Sequence, residues 1–209
     1  MACRGADVSP APAVNPELEK MYSEDQSDRQ RTPIDWSIVG PRDSQRQKRV
    51  MEMYRAGELK GGEDFFHAAM ILQHGRRPED FLLCHELCIT AIFVHGDEKG
   101  GWMGRAKWLA AASEDRFLES IGRNQRFGTQ YKTHDPDPQW RLDPVDDDVT
   151  DLTREAWSVP SIAEAKRREI EMNKGSAEVR PNQPPLQTPT SGTPAAGAPV
   201  AQPSRAVGR

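Results

Sequence analysis

The sequence predicts a mostly α protein: antiparallel helical hairpins in one domain with a short β-hairpin or irregular flap, and disordered N- and C-terminal tails. Three observations carry this. Apolar residues recur at three- and four-residue intervals in segments of helix length. Several of those segments end on a glycine, namely Gly57, Gly75, Gly96 and Gly122. Both ends of the chain lose the pattern and turn rich in Pro, Ala, Thr and Ser. Such ends cannot bury enough apolar surface to offset the entropy of ordering them. The organisation that follows is a disordered segment over 1–16, one domain over 17–174, and a Pro/Ala/Thr-rich tail over 175–209 that serves as a flexible appendage.

Pro16 to Asp28 reads as a short amphipathic piece around Leu18, Met21 and Tyr22, broken by Arg31-Thr32-Pro33, with Ile34-Asp35-Trp36 as an anchor. Asp43 or Ser44 is expected to cap a helix over Gln45 to Ala56, with Val50, Met53 and Tyr54 on its apolar face. Asp64 then caps a helix over Phe65 to His74, with Gly75 as a left-handed terminator. Pro78, Glu79 and Asp80 suit the first turn of the next helix, which is nearly continuously apolar from Phe81 to Val94 and is expected to be the central, buried one. A fourth clear helix spans Trp102 to Ile121. Short extended segments, Phe127 to Lys132 and Gln139 to Leu142, flank a turn around His134-Asp135-Pro136-Asp137-Pro138. Asp148 to Trp157 is a further helical piece, and Ser161 with Glu164 forms a capping-box pattern that opens a last helix reaching about Asn173.

A net charge of −4 with interspersed signs argues against nucleic acid as a partner. The basic set Arg42, Arg46, Lys48 and Arg49 reads as a solvated helix surface. No apolar run approaches the ~18 residues of a membrane span. The first residues lack the apolar core of a secretory signal, so a cytoplasmic location is expected; a lipid anchor through Cys3 is the alternative if the true start lies upstream. Cys84 and Cys88, four apart, read as small hydrophobes in a reducing compartment. No metal and no cofactor is expected.

The candidate chemistry is polar. Counting helix levels outward from the Arg76-Arg77 turn puts His67 and His85 each roughly 12 Å from it, where they could face each other. The same count brings Asp115 and Arg116 near that level. A carboxylate could fix a histidine tautomer, and a guanidinium could bind an anionic or carbonyl group. Gln125, Thr129 and Gln130 suit orienting a ligand. Asp115 and Arg116 point about 100° apart on a helix, so at least one is expected to be structural. Asp25 and Gln26, from the string Asp25-Gln26-Ser27-Asp28-Arg29, could complete a site, and His74 is expected to interact with the carbonyl end of its own helix.

Four strings occur in order: Phe66-His67-Ala68-Ala69-Met70-Ile71-Leu72-Gln73-His74-Gly75, Pro78-Glu79-Asp80-Phe81-Leu82-Leu83, Ala106-Lys107-Trp108-Leu109-Ala110-Ala111-Ala112 with Asp115-Arg116-Phe117-Leu118, and Gln125-Arg126-Phe127-Gly128-Thr129-Gln130. Together they resemble an uncharacterised, largely bacterial family of small α-helical proteins classed as a domain of unknown function. The likeness covers about Asp25 to Met172. It departs at Cys84 and Cys88, where that family has small alanine-like residues around the histidine that stands here as His85, and in a longer stretch from Asp97 to Met103. The resemblance implies a single shared domain and the same polar residues, and carries no activity. A weaker likeness, through Gly75, Asp80, Ala91, Gly96, Ala106 and Leu109, is to Sel1-type and tetratricopeptide-like helical hairpins.

Two functions follow as expectations. The first is a helical binding or interaction module with a His/Asp/Arg/Gln pocket for an unknown protein or small-molecule ligand. The second is a small hydrolase using His67 or His85 with Asp115, oriented by Arg116 or Gln130. The sequence holds no complete catalytic motif that would favour the second.

Overall fold

The computed structural model describes residues 13–95, 101–134 and 137–174; residues 1–12 of the predicted N-terminal segment with Cys3, the predicted tail over 175–209, Gly96, Gly100 and the turn residues Asp135 and Pro136 lie outside them. The architecture is mostly helical with one small antiparallel sheet. In chain order it comprises α1 (Pro16–Gln30), α2 (Trp36–Arg55), α3 (Gly62–Leu72), α4 (Pro78–His95), α5 (Met103–Ser120), β1 (Tyr131–His134), β2 (Asp137–Leu142), α6 (Asp151–Ala156) and α7 (Ile162–Lys174).

The main core is built from α3, α4 and α5, with α1 and α2 laid against α3. Phe66, Met70 and Ile71 of α3, Cys84, Leu87 and Cys88 of α4, and Ala106, Leu109 and Ala110 of α5 fill it, closed on the far side by Leu18, Val50 and Met53. The alanines let α5 approach closely, and burial of each large side chain contributes about 1.5–3 kcal/mol. A second, smaller cluster of Ala111, Phe127, Val149 and Val159 seats the C-terminal third of the domain on α5.

Local sequence explains most boundaries. Asn15 caps α1 by accepting from the Glu17 and Leu18 N–H groups. The Asp64 carboxylate accepts from the N–H groups of Asn15 at 2.8 Å and Lys60 at 2.9 Å, which ties the start of α1 to the start of α3. Ser161 and Glu164 form the predicted reciprocal cap ahead of α7. Gly57 and Gly122 adopt the left-handed conformation that ends a helix.

Three expectations are corrected. The helix expected from Gln45 begins nine residues earlier, at Trp36, with Asp35 as its cap and Pro41 inside it. Pro41 removes one intrahelical hydrogen bond, and Asp43 lies inside α2 as a buried ion-pair partner of Arg29 and Arg46 rather than at its start. Gly75 is not left-handed: a Cβ there would lie 2.3 Å from the Asp80 Cβ, so glycine is required by close approach. In return Asp80 closes the α3–α4 turn by accepting from the Arg76 and Arg77 N–H groups. Finally, α4 is central in the three-helix order but not buried all round, since Leu82, Phe93 and Val94 are exposed.

The sheet pairs Tyr131 with Leu142, Lys132 with Arg141 and His134 with Asp137. The backbone of β2 is covered by side chains of α7. Asn173 accepts from the Trp140 N–H and donates to its carbonyl, both at 2.8 Å, and Glu169 accepts from the Leu142 N–H. This occupies strand groups that would otherwise stand as an open edge.

Candidate functional site

The polar string Gln125 to Gln130 is folded by two charged side chains of opposite sign. Asp115, buried on α5, accepts from the backbone N–H groups of Arg126 (2.7 Å), Phe127 (2.9 Å) and Thr129 (3.0 Å) and from the Thr129 hydroxyl (2.7 Å). Arg154, buried on α6, donates to the carbonyls of Phe127, Val149 and Arg126. Gln125 completes the fold: its amide nitrogen donates to the carbonyls of Gln130 and Asp143, and its amide oxygen accepts from the Gln130 N–H. Burial pushes the Asp115 carboxyl above the ordinary carboxylate range, against the four donors that pull it down.

Arg116 donates to the Gln130 side-chain oxygen at 3.2 Å and, more weakly, to the carbonyl and side chain of Gln73. Among the described residues no carboxylate accepts from it. Beside it, the Ser113 hydroxyl donates to the Cys84 sulfur at 3.0 Å. Burial raises the Cys84 thiol, but hydrogen bonds from Cys88 and Ser113 and the Arg116 charge bring it below the usual thiol range. Thus Asp115, Arg116, Gln125, Thr129 and Gln130 do gather, as one internal hydrogen-bond network.

The two histidines are engaged separately. His67 stacks on Tyr22 with ring centroids 4.1 Å apart, its Nε2 lies 3.8 Å from Glu63, and its Nδ1 is buried without a partner. Burial lowers its pKa to about 4, with the neighbouring Arg105 charge adding to the effect, so the ring is neutral at pH 7. His85 makes a 2.9 Å hydrogen bond through Nδ1 to the Ala110 carbonyl and lies near Trp157. A carbonyl can only accept, which places the proton on Nδ1. No hydrogen bond or ring contact joins His67, His85 and Asp115.

Asp25 belongs to a different cluster. Arg29 bridges Asp25 (2.8 Å) and Asp43 (2.7 Å), and Arg46 bridges Asp43 (2.7 Å) and Asp28 (2.9 Å). Arg42 reaches Asp28 from the half-exposed rim, and Gln26 donates to Asp25. Three carboxylates meet three guanidinium groups, so the ladder joining α1 to α2 is neutral. His74 sits 3.2 Å from Asp25. Burial outweighs the pull of Asp25 and lowers the His74 pKa. The arginines rather than an imidazolium therefore balance Asp25. Arg46, expected on a solvated face, is 6% exposed. The signal was present: acids at 25 and 28 beside Arg29, and bases at 42 and 46 beside Asp43, form two stripes of interlocking sign at helical spacing.

The space open to a ligand lies on the other side of the 125–130 loop. A cleft of about 770 Å³ opens between that loop, α5, and the segment joining α6 to α7. Trp108 and Tyr131 supply its aromatic faces, and Asp151, Glu155 and Glu164 its rim. Arg168 lies over the Tyr131 ring at 5.9 Å. Three carboxylates against one guanidinium leave the lining acidic. Asp151 and Glu164 are partly spent on the Ile162 and Ser161 N–H groups and lie 3.4 and 3.6 Å from the guanidinium groups of Arg154 and Arg167, whereas among the described residues the Glu155 carboxylate has no hydrogen bond or ion pair. Gly128 forms part of the floor with φ 79°, and a Cβ there would press on Ile162 at 3.2 Å. In the sequence Glu164 stood out only as a helix cap and Asp151 and Glu155 not at all, because the rim is split between two helices, α6 and α7, of ordinary surface composition.

Among the described residues, no group of three or more His, Cys, Asp or Glu side chains could hold a metal ion, and no helix is long and apolar enough to cross a membrane. Comparison with family models, curated proteins and solved structures returns no match.

Proposed function

We propose that this chain is a helical binding module whose working surface is the acidic, aromatic-floored cleft between α5, the 125–130 loop and the α6–α7 segment. One observation carries the reading: the cleft presents Trp108, Tyr131 and an unpaired Glu155 carboxylate to solvent, while Asp115, Gln125 and Thr129 are consumed in holding its floor. Aromatic faces with a few convergent charges are the usual make-up of a recognition site. The charge excess selects a cationic partner, and the open trough suits an extended peptide better than an enclosed small molecule. The four ordered polar and alanine-rich strings of the sequence fall on this scaffold, with Trp108 and Thr129 at the cleft itself. A cytoplasmic location accompanies the reading, since Cys84 and Cys88 are buried, unbridged thiols.

The test is amide-shift mapping on the full chain with a blocked Arg-Pro-Pro-Leu peptide and its Glu-Pro-Pro-Leu counterpart. The arginine peptide is expected to move the amides of Gly128, Thr129, Ser158 and Ser161, and the glutamate peptide to leave them in place. Equal responses, or shifts confined to other surfaces, overturn the proposal.

A further inference from the structure

We infer that the cleft is a self-recognition site, occupied by the chain's own segment Val179-Arg180-Pro181-Asn182-Gln183-Pro184-Pro185-Leu186; this rests on the binding-module reading above. Three observations bear on it. The first is reach. The last described helix, α7, lines the cleft through Glu164, Ala165 and Arg168 and ends at Lys174. Glu164 stands ten residues before that end, about 15 Å back along the helix at 1.5 Å per residue. Six extended residues, from Lys174 to Arg180, span about 20 Å. Arg180 can therefore return to the level of Glu164 and Glu155.

The second is charge. Residues 175–209 contain Arg180, Arg205 and Arg209 against the single acid Glu178. The cleft offers Asp151, Glu155 and Glu164 against Arg168. An arginine at the rim supplies the partner that Glu155 lacks.

The third is side-chain chemistry. Proline-rich segments lose little conformational entropy on binding and seat their rings between aromatic side chains. Pro184, Pro185 and Leu186, the one large aliphatic residue besides valines in 175–209, follow Arg180 by four to six residues, and Trp108 and Tyr131 offer them aromatic faces in the cleft that carries the acidic rim. A tethered ligand acts at millimolar effective concentration, so individually weak contacts suffice and an outside peptide must displace it.

The experiment uses the full chain with a photoreactive benzoylphenylalanine in place of Leu186, irradiated at low micromolar concentration, with crosslinks read by mass spectrometry. Crosslinks within one chain onto Trp108, Tyr131, Ser158 or Pro160 are expected. Arg180→Glu should reduce them at least fivefold, and adding Glu155→Arg to that variant should restore them. Crosslinks spread over unrelated surfaces, or a cleft yield insensitive to the charge at 180, overturn the inference. If the cleft is not labelled but the blocked arginine peptide still moves the Gly128 and Thr129 amides, self-docking falls and the module reading stands. If neither occurs, both fall.

Discussion

The Nε2 atom of His74, at the end of α3, lies 3.2 Å from a carboxylate oxygen of Asp25, forty-nine residues earlier on α1. That contact joins the Asp25–Arg29–Asp43–Arg46–Asp28 ladder to α3 and adds matched charge to the apolar packing of Leu18, Val50 and Met53 by which α1 and α2 meet the main core. Such a ladder has a definite energetic signature. Its net contribution relative to an apolar replacement is small, but removing one member leaves a buried charge without its partner.

Arg46→Met is therefore expected to lower stability by about 3–5 kcal/mol, read from urea unfolding. Arg49→Met, whose pairing with Glu17 is half-exposed, should change it by less than about 1 kcal/mol. Similar losses at the two positions would contradict the ladder.

His67 gives a pH signature. Its folded-state pKa is lowered from 6.5 to about 4, so between those values the unfolded chain binds the extra proton. Its contribution is fully present above pH 6.5 and is lost as pH falls toward 4, up to about 3 kcal/mol. His67→Phe keeps a ring against Tyr22 and should flatten that part of the acid limb. An unchanged slope in the variant would show that the imidazole is not held neutral.

Glu119 acts in the opposite direction. It shares Lys132 with Asp143, at 2.8 and 2.9 Å, and burial raises its carboxyl to about 7, with Asp143 contributing. Asp143 is held below its usual range and also accepts from His134. Glu119 thus keeps its proton near neutrality while Asp143 carries the charge. The contribution of Glu119 is fully present below pH 4.5 and lost as pH rises through 7. Glu119→Gln, which mimics the neutral acid, should melt above the parent at pH 8.5 and close to it at pH 5. A lower melting temperature at both values would contradict the assignment.

Asp115 is expected to be a costly polar position in the 125–130 loop, read from urea unfolding. Asp115→Asn turns an amide NH₂ toward backbone donors, and should cost about 2–4 kcal/mol. Thr129→Val removes one of four donors and should cost about 1 kcal/mol.

The helices were legible in the sequence because their signals are local. Asp80 behind Pro78, Ser161 with Glu164, and glycines at 57 and 122 each act within a turn of the helix they delimit. The start of α2 was not, because Pro41 reads as a boundary, whereas the helix runs through it from the Asp35 cap. The gathering of Asp115 with Gln125, Thr129 and Gln130 was anticipated as a group, but not its direction. Sequence does not reveal whether polar atoms face a cavity or backbone groups of a loop, and here they face the loop. His67 and His85 stand at similar levels on neighbouring helices, yet height along an axis says nothing about azimuth. One turns to Tyr22, the other to the Ala110 carbonyl. The cleft is a product of tertiary packing alone, assembled from Trp108, Tyr131, Glu155 and Glu164 across some sixty residues.

The most direct measurement compares affinity for the blocked Arg-Pro-Pro-Leu peptide across four full-length variants: Trp108→Ala, Glu155→Lys, His67→Phe and His85→Gln. The first two are expected to weaken binding at least tenfold, and the histidine variants, once shown to be folded, to bind within twofold of the parent. Binding lost with the histidines and retained without Trp108 and Glu155 would contradict the account.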